Sequence, residues 1–205
     1  MKSPDVSAME PTDETLMYAC QAGSSTALGD LVGRYSTMLF GYLVRMCGSR
    51  EDAQDVFQDT FLRVHTRAST FRQGAVFKPW LFAIATNAAY DCLRRRQRTA
   101  GTILWGDLDD ATARAVEPVA PADTADPPCI LIRDEQKQQV QKAIGTLPLQ
   151  QRTALVLAYY QDLPYREVAE VMGCSIGTVK THMSRALHSL AHSLASLRMP
   201  CKEAV

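Results

Sequence analysis

Thr178, Lys180, Thr181, Ser184 and Arg185 place three small hydroxyls and two bases within eight residues, with no acid among them. At 100° per residue on a helix, Thr178, Thr181, Ser184 and Arg185 share one side with His188, and Lys180 flanks them. Val179, Met183, Ala186, Leu187, Leu190, Leu194 and Leu197 form the opposite stripe, as a core-facing side would. So small a polar face can enter a DNA major groove closely, with Arg185 able to pair with guanine and Lys180 with phosphate. The outer side of a plain helical hairpin would tolerate the same residues, so the chain ahead of them matters. Asp162, Leu163 and Pro164 break one helix, a short helix is predicted from about Tyr165 to Met172, Gly173 supplies a turn, and Ser175 caps the longer helix. Short helix, glycine turn and longer helix is the helix-turn-helix layout, which favours DNA as the target.

A second set runs through Phe71, Phe77, Trp80, Phe82 and Tyr90 into Arg94, Arg95, Arg96 and Arg98. Aromatic rings stack on unpaired bases and arginines hold phosphates, the two components of a single-strand surface. Some of these rings must instead fill the core, Phe82 first, and the arginines equally suit a solvated helix end that complements the helix dipole. A third set, Asp55, Gln58, Asp59 and Leu62, lies on the polar side of a predicted helix. A large apolar side chain among acids and an amide reads either as a protein-docking patch or as one more exposed leucine.

These sets need helices to position them, and the sequence supplies helices throughout. Leu28, Leu31, Val32, Tyr35, Leu39, Tyr42, Leu43 and Met46 fall on one stripe, which Gly48 ends. Ser49 then caps a helix, with Asp52 three residues on, that buries Ala53, Val56, Phe57, Thr60, Phe61 and Val64. After a break over Phe71 to Lys78, Pro79 suits the first turn of a helix reaching about Arg98. In the C-terminal part, Leu147 and Pro148 precede a helix holding Ala154, Leu155, Leu157, Ala158 and Tyr159. No alternating stretch of strand length competes.

The 205 residues carry 22 Lys+Arg and 22 Asp+Glu, a net charge of zero that argues against a polyanion partner when taken whole. By segment the balance is uneven: −3 over residues 1–14, +5 over 15–100, −5 over the Pro- and Ala-rich stretch from Gly101 to Cys129, and +3 over 130–205. Two basic modules on an acidic tether fit nucleic-acid binding under internal competition, and equally an uneven surface without function. Hydrophobic residues make up 46% and charged residues 21%, and no apolar run reaches the ~20 residues of a membrane span. The polar start carries no secretory segment, so a cytoplasmic protein is expected. Cys20, Cys47, Cys92, Cys129, Cys174 and Cys201 stand 27 to 45 residues apart, without a zinc or redox pair, and read as free thiols. His188 and His192 are one turn apart but lack a third ligand. No metal, cofactor, nucleophile or phosphate loop is expected, and the chain does not read as an enzyme.

Three stretches carry a family resemblance: DVFQDTFLR from Asp55 to Arg63; FKPWLFAIATN from Phe77 to Asn87 with DCLRRR from Asp91 to Arg96; and LPLQQR from Leu147 to Arg152, continuing to GTVK at Gly177 to Lys180. Together they resemble the extracytoplasmic-function group of bacterial sigma-70 factors over residues 15–98 and 133–195. The resemblance implies an all-α fold of two small helical domains joined by a flexible linker. Residues 1–14 would be a tail, 15–100 sigma region 2, 101–132 the linker, 133–198 sigma region 4 and 199–205 a second tail. It implies that Asp55, Gln58, Asp59 and Leu62 dock on the β′ clamp helices of core RNA polymerase. Phe71, Phe77, Lys78, Trp80 and Asn87, with Arg94, Arg95, Arg96 and Arg98, would melt the minus-10 element and capture a flipped base; Trp80 also suits a structural role, facing Ile84. Thr178, Lys180, Thr181, Ser184 and Arg185 would read the minus-35 element, although the family often has a bulkier or basic residue at the place of Ser184. The acidic linker would thread toward the polymerase channels. Core polymerase through β′ and β, promoter DNA and an anti-sigma factor are the implied partners, with no direct membrane insertion.

Two other classes compete. A polymerase-independent regulator with a LuxR-like C-terminal domain predicts an N-terminal α/β receiver, and the first hundred residues lack a helix-strand rhythm. A helical protein-binding adaptor leaves both the acid-free face and the Arg94 to Arg98 run unexplained.

Overall fold

The computed structural model describes residues 10–99 and 138–195, all helix and connecting turns, with no strand among the described residues. The expected linker over 101–132, the C-terminal tail, Cys129, Cys201 and Leu197 lie outside them.

Helix α1 spans Asp13–Gln21, α2 Ser25–Cys47, α3 Arg50–Thr66 and α4 Phe77–Thr99. The expected N-terminal tail therefore ends early: the Thr12 side chain accepts the Thr15 amide, and Asp13 and Glu14 occupy the first turn, where the helix dipole favours acids. The α2 stripe is buried from Leu31 to Met46, with Leu28 and Val32 at its half-buried edge. Gly48 closes the helix at φ 73, a left-handed conformation that glycine adopts without a Cβ clash. Ser49 then caps α3 by accepting the Asp52 amide. Tyr42 and Phe82 meet edge to face with centroids 5.1 Å apart, and the Tyr42 hydroxyl lies 2.6 Å from Thr86 Oγ1, so a buried phenol is satisfied inside the bundle.

The C-terminal module begins with α5, residues 138–145. Then come α6, Leu149–Leu155, which runs on as a π-helical turn from Val156 to Tyr160, α7, Tyr165–Met172, and α8, Ile176–Ser193. Gly173 is left-handed at φ 64 and Ser175 accepts the Thr178 amide, so the helix-turn-helix punctuation expected from residue types is present. The α8 stripe is shorter than expected. Val179, Met183 and Ala186 are buried, but Leu187 is 52% exposed and Leu190 and Leu194 are half-buried.

The two modules are not held apart in this structure, and their buried apolar residues form one continuous cluster. The Arg152 guanidinium, 6% exposed, donates to Met46 O at the end of α2 as well as to Gly145 O and Leu147 O in its own module. Lys78 Nζ donates to Gln161 O at 2.6 Å, and the Tyr90 hydroxyl lies 2.8 Å from Thr153 Oγ1. The Arg45 guanidinium stacks 4.3 Å above the Tyr160 ring.

Candidate nucleic-acid and protein interfaces

On α3 the buried side is Ala53, Val56, Thr60, Phe61 and Val64. Asp55, Gln58, Asp59 and Leu62 stand at i, i+3, i+4 and i+7 on the other side, and Leu62 is 65% exposed. Asp59 pairs with Arg63 at 2.9 Å, and the same guanidinium reaches Asp91 of α4 at 3.0 Å, so the patch is braced from the neighbouring helix. Beside it, half-buried Phe57 packs against Phe40, and Arg50 lies 5.4 Å above the Phe40 ring. The result is an exposed leucine flanked by Asp55 and Asp59, a surface of the kind that marks protein contacts.

The second set divides. Phe71 and Phe77 are 3% and 0% exposed, so in this structure their rings take the core role that the sequence also allowed them rather than standing free to stack on bases. They form an aromatic knot with Trp80, at centroid distances of 5.2 Å for Phe71 with Trp80 and 6.0 Å for Phe77 with Trp80, and Tyr35 meets Phe77 edge-on at 5.3 Å. Burying a phenylalanine ring stabilises by roughly 1.5–3 kcal/mol, more than a solvated surface position returns, so the core takes these rings. Trp80 is half-buried in the knot, in line with its structural alternative, and Lys78 is occupied by Gln161 O. Exposed on α4 are Asn87, Arg94, Arg95, Arg96 and Arg98. Asn87, Arg94 and Arg98 stand at i, i+7 and i+11, one line along the helix. Arg96 pairs with Asp52 of α3 at 2.9 Å. Within the stretch from Phe71 to Phe77, Arg72, Gln73 and Val76, which no residue pattern singled out, are exposed, and the glycine at 74, with φ 80, marks the tight loop.

The third set is wholly presented. Thr178, Lys180, Thr181, Ser184 and Arg185 are all exposed on α8, opposite Val179, Met183 and Ala186. Thr178 Oγ1 lies 2.9 Å from Ser175 Oγ and Thr181 Oγ1 donates to Gly177 O at 3.0 Å, which restrains both side chains.

The seam between the modules has its own electrostatics. Burial pushes the Tyr90 phenol up to about 12, against a partly offsetting hydrogen bond to Thr153. Burial likewise raises the Cys47 thiol to about 12, with nearby Cys92 adding to it. Arg152 is lowered by burial, its guanidinium being served by backbone carbonyls. Sequence reading missed this cluster, since an acceptor carbonyl leaves no mark in the sequence. No group of three or more metal-ligating side chains occurs among the described residues, and no described helix is long and apolar enough to cross a membrane.

A helix-turn-helix with an exposed, acid-free outer face in one module, and an exposed leucine among acids in the other, fit the class of DNA-binding proteins that also engage a protein partner. Comparison with known proteins agrees. The family model for sigma-70 region 2 matches residues 31–99 and that for sigma-70 region 4 matches residues 137–190. The RNA polymerase sigma-H factor of Pseudomonas aeruginosa is 32% identical over 189 residues, covering 90% of this chain and 95% of that protein. The ECF RNA polymerase sigma-E factor of Haemophilus influenzae is 30% identical, covering 93% of this chain and 99% of that protein. Among solved structures, CnrH in complex with the cytosolic domain of CnrY aligns with a TM-score of 0.64 at 23% identity, over 90% of this chain and 97% of that one. RpoE in complex with the anti-sigma factor NepR from Bartonella quintana aligns at 0.62 and 24%, over 82% and 99%. The chain belongs to the extracytoplasmic-function group of the sigma-70 family and acts as an RNA polymerase sigma factor. The fold expectation of two all-helical modules is borne out, and a polymerase-independent regulator is not favoured.

Proposed function

We propose that α8 reads the minus-35 promoter element through Thr178, Lys180, Thr181, Ser184 and Arg185, and that the exposure of all five behind a capped turn carries this reading. Arg185 supplies a bidentate donor for guanine and Lys180 a phosphate contact. The loop of residues 72–76 with Asn87 and the arginines of α4 takes the minus-10 strand, Arg94, Arg95, Arg96 and Arg98 holding phosphates while Phe71, Phe77 and Trp80 support the loop from beneath. Lys78 joins them when Gln161 O releases it. Asp55, Gln58, Asp59 and Leu62 dock on the β′ clamp helices, and the C-terminal module contacts β. Residues 15–100 and 133–198 are then the two working modules, with 101–132 as the acidic linker toward the polymerase channels. The chemistry of RNA synthesis stays with the polymerase. The protein works in the cytoplasm, where its DNA is, and by the example of the CnrH–CnrY and RpoE–NepR complexes an anti-sigma protein is a partner.

The test adds the purified full chain to bacterial core RNA polymerase and promoter DNA. The expected result is a complex that initiates where core alone does not. Asp55→Ala with Leu62→Ala abolishes core binding while the full chain keeps its helical signal; initiation undiminished by that pair would remove the patch from the docking surface.

A further inference from the structure

One face of α1 is committed to a single loop. Glu14, Tyr18 and Gln21 are spaced four and three residues apart, which stacks side chains on one side of a helix. Gln21 Nε2 donates to Ala68 O and to Phe71 O, each at 2.8 Å. The Gly74 amide donates to the Tyr18 hydroxyl at 3.2 Å, and the Phe77 amide donates to Glu14 Oε1 at 3.1 Å, where a carboxylate also complements the start of α4. The Tyr18 ring lies 5.8 Å from that of Phe71. These ties fix the entry, the tip and the exit of the segment between α3 and α4. The loop's own contribution is small, an Ala75 amide donating to Arg72 O at 3.1 Å.

Between the ties, Arg72 and Gln73 are exposed and Val76 is 55% exposed. A guanidinium and an amide can read base edges, and an isopropyl group can cover a base face, but only if the backbone holds them to within about 0.5 Å. A short exposed loop with so little internal bonding would otherwise fray. Helix α1 lies before residues 31–99, the part matched by the region 2 family model.

We infer that Glu14, Tyr18 and Gln21 are positioning residues for base selection: α1 holds the loop of residues 72–76 in the one conformation that presents Arg72, Gln73 and Val76 to an unstacked base. The inference rests on the reading of this loop as part of the minus-10 surface. It goes beyond that reading in assigning selectivity to a helix outside the loop, through its bonds to the loop backbone. The three α1 residues act through backbone atoms of the loop, so their loss blurs one contact without removing the others.

Holoenzyme assembled from the full chain and bacterial core polymerase is mixed with a pool of single-stranded oligonucleotides randomised over the minus-10 positions, and the bound fraction is sequenced. Wild type enriches particular bases. Gln21→Ala and Tyr18→Phe lower the enrichment about tenfold at one position, the size expected for one misaligned base contact, and leave the other positions and core affinity within about twofold. Glu14→Gln, which keeps an acceptor oxygen for the Phe77 amide, retains the enrichment, and Glu14→Ala loses it. An unchanged pattern in all variants overturns the role of α1, as does an even loss at every position, which is what general destabilisation produces. A wild-type holoenzyme that enriches no base would sink the base-capture reading of the loop itself, whereas normal wild-type selection with indifferent variants removes only the contribution of α1.

Discussion

Helices α4 and α8 both present basic surfaces, and they treat their side chains in opposite ways. Nine residues of α4, Phe77 to Ala89, are buried on several sides of the helix, while α8 buries only Val179, Met183 and Ala186 on one stripe. Helix α4 is therefore a structural spine up to Ala89 that exposes Asn87 and, past its buried part, Arg94, Arg95, Arg96 and Arg98, and α8 is a platform laid on its module with its polar face free. Large rings are worth more to a core than to a surface, whereas hydroxyls, lysine and arginine lose by burial. The same physics that draws the Phe77 and Phe82 rings of α4 into the core leaves the polar face of α8 fully exposed.

The largest effect that tests this contrast is Phe77→Ala. Loss of a ring packed against Tyr35, Phe71 and Trp80 costs about 3–5 kcal/mol of folding stability in urea unfolding. A near-neutral result would make Phe77 a surface residue and break the comparison. On α8 the expectation reverses: Arg185→Ala leaves stability within about 0.5 kcal/mol and removes about 1–3 kcal/mol of minus-35 discrimination, read by comparing holoenzyme binding to matched and substituted promoters. Uniform weakening on all sequences would reassign Arg185 to phosphate. Smallest is Arg96→Gln on the outer end of α4, where a solvent-screened pair with Asp52 contributes at most about 1 kcal/mol. A larger loss in unfolding measurements would show that the end of α4 is held as firmly as its middle.

How far the sequence could be read follows from the same contrast. The exposed face of α8 was legible because its residue types announce their environment: no core accepts Lys180 and Arg185 unpaired, and Gly173 and Ser175 mark turn and cap by chemistry alone. Leu62 was legible as the one apolar residue out of place on a polar side. Phe71 and Phe77 were not, because a ring suits a core and a stacked base equally, and only the positions of Tyr18, Tyr35 and Trp80 decide between them. Nor was the Arg152 contact to Met46 O, since 106 residues separate the partners and one of them is a carbonyl that every residue possesses. The start of α1 at Asp13 was hidden for a smaller reason, an acidic run that reads as tail as readily as first turn.

The buried Arg152, gripping carbonyls of both modules, also sets a threshold for anything that works on the modules separately. Whatever free energy holds this seam shut is subtracted from the affinity of a partner that needs it open, at about tenfold for every 1.4 kcal/mol. A partner that embraces the closed arrangement pays no such toll.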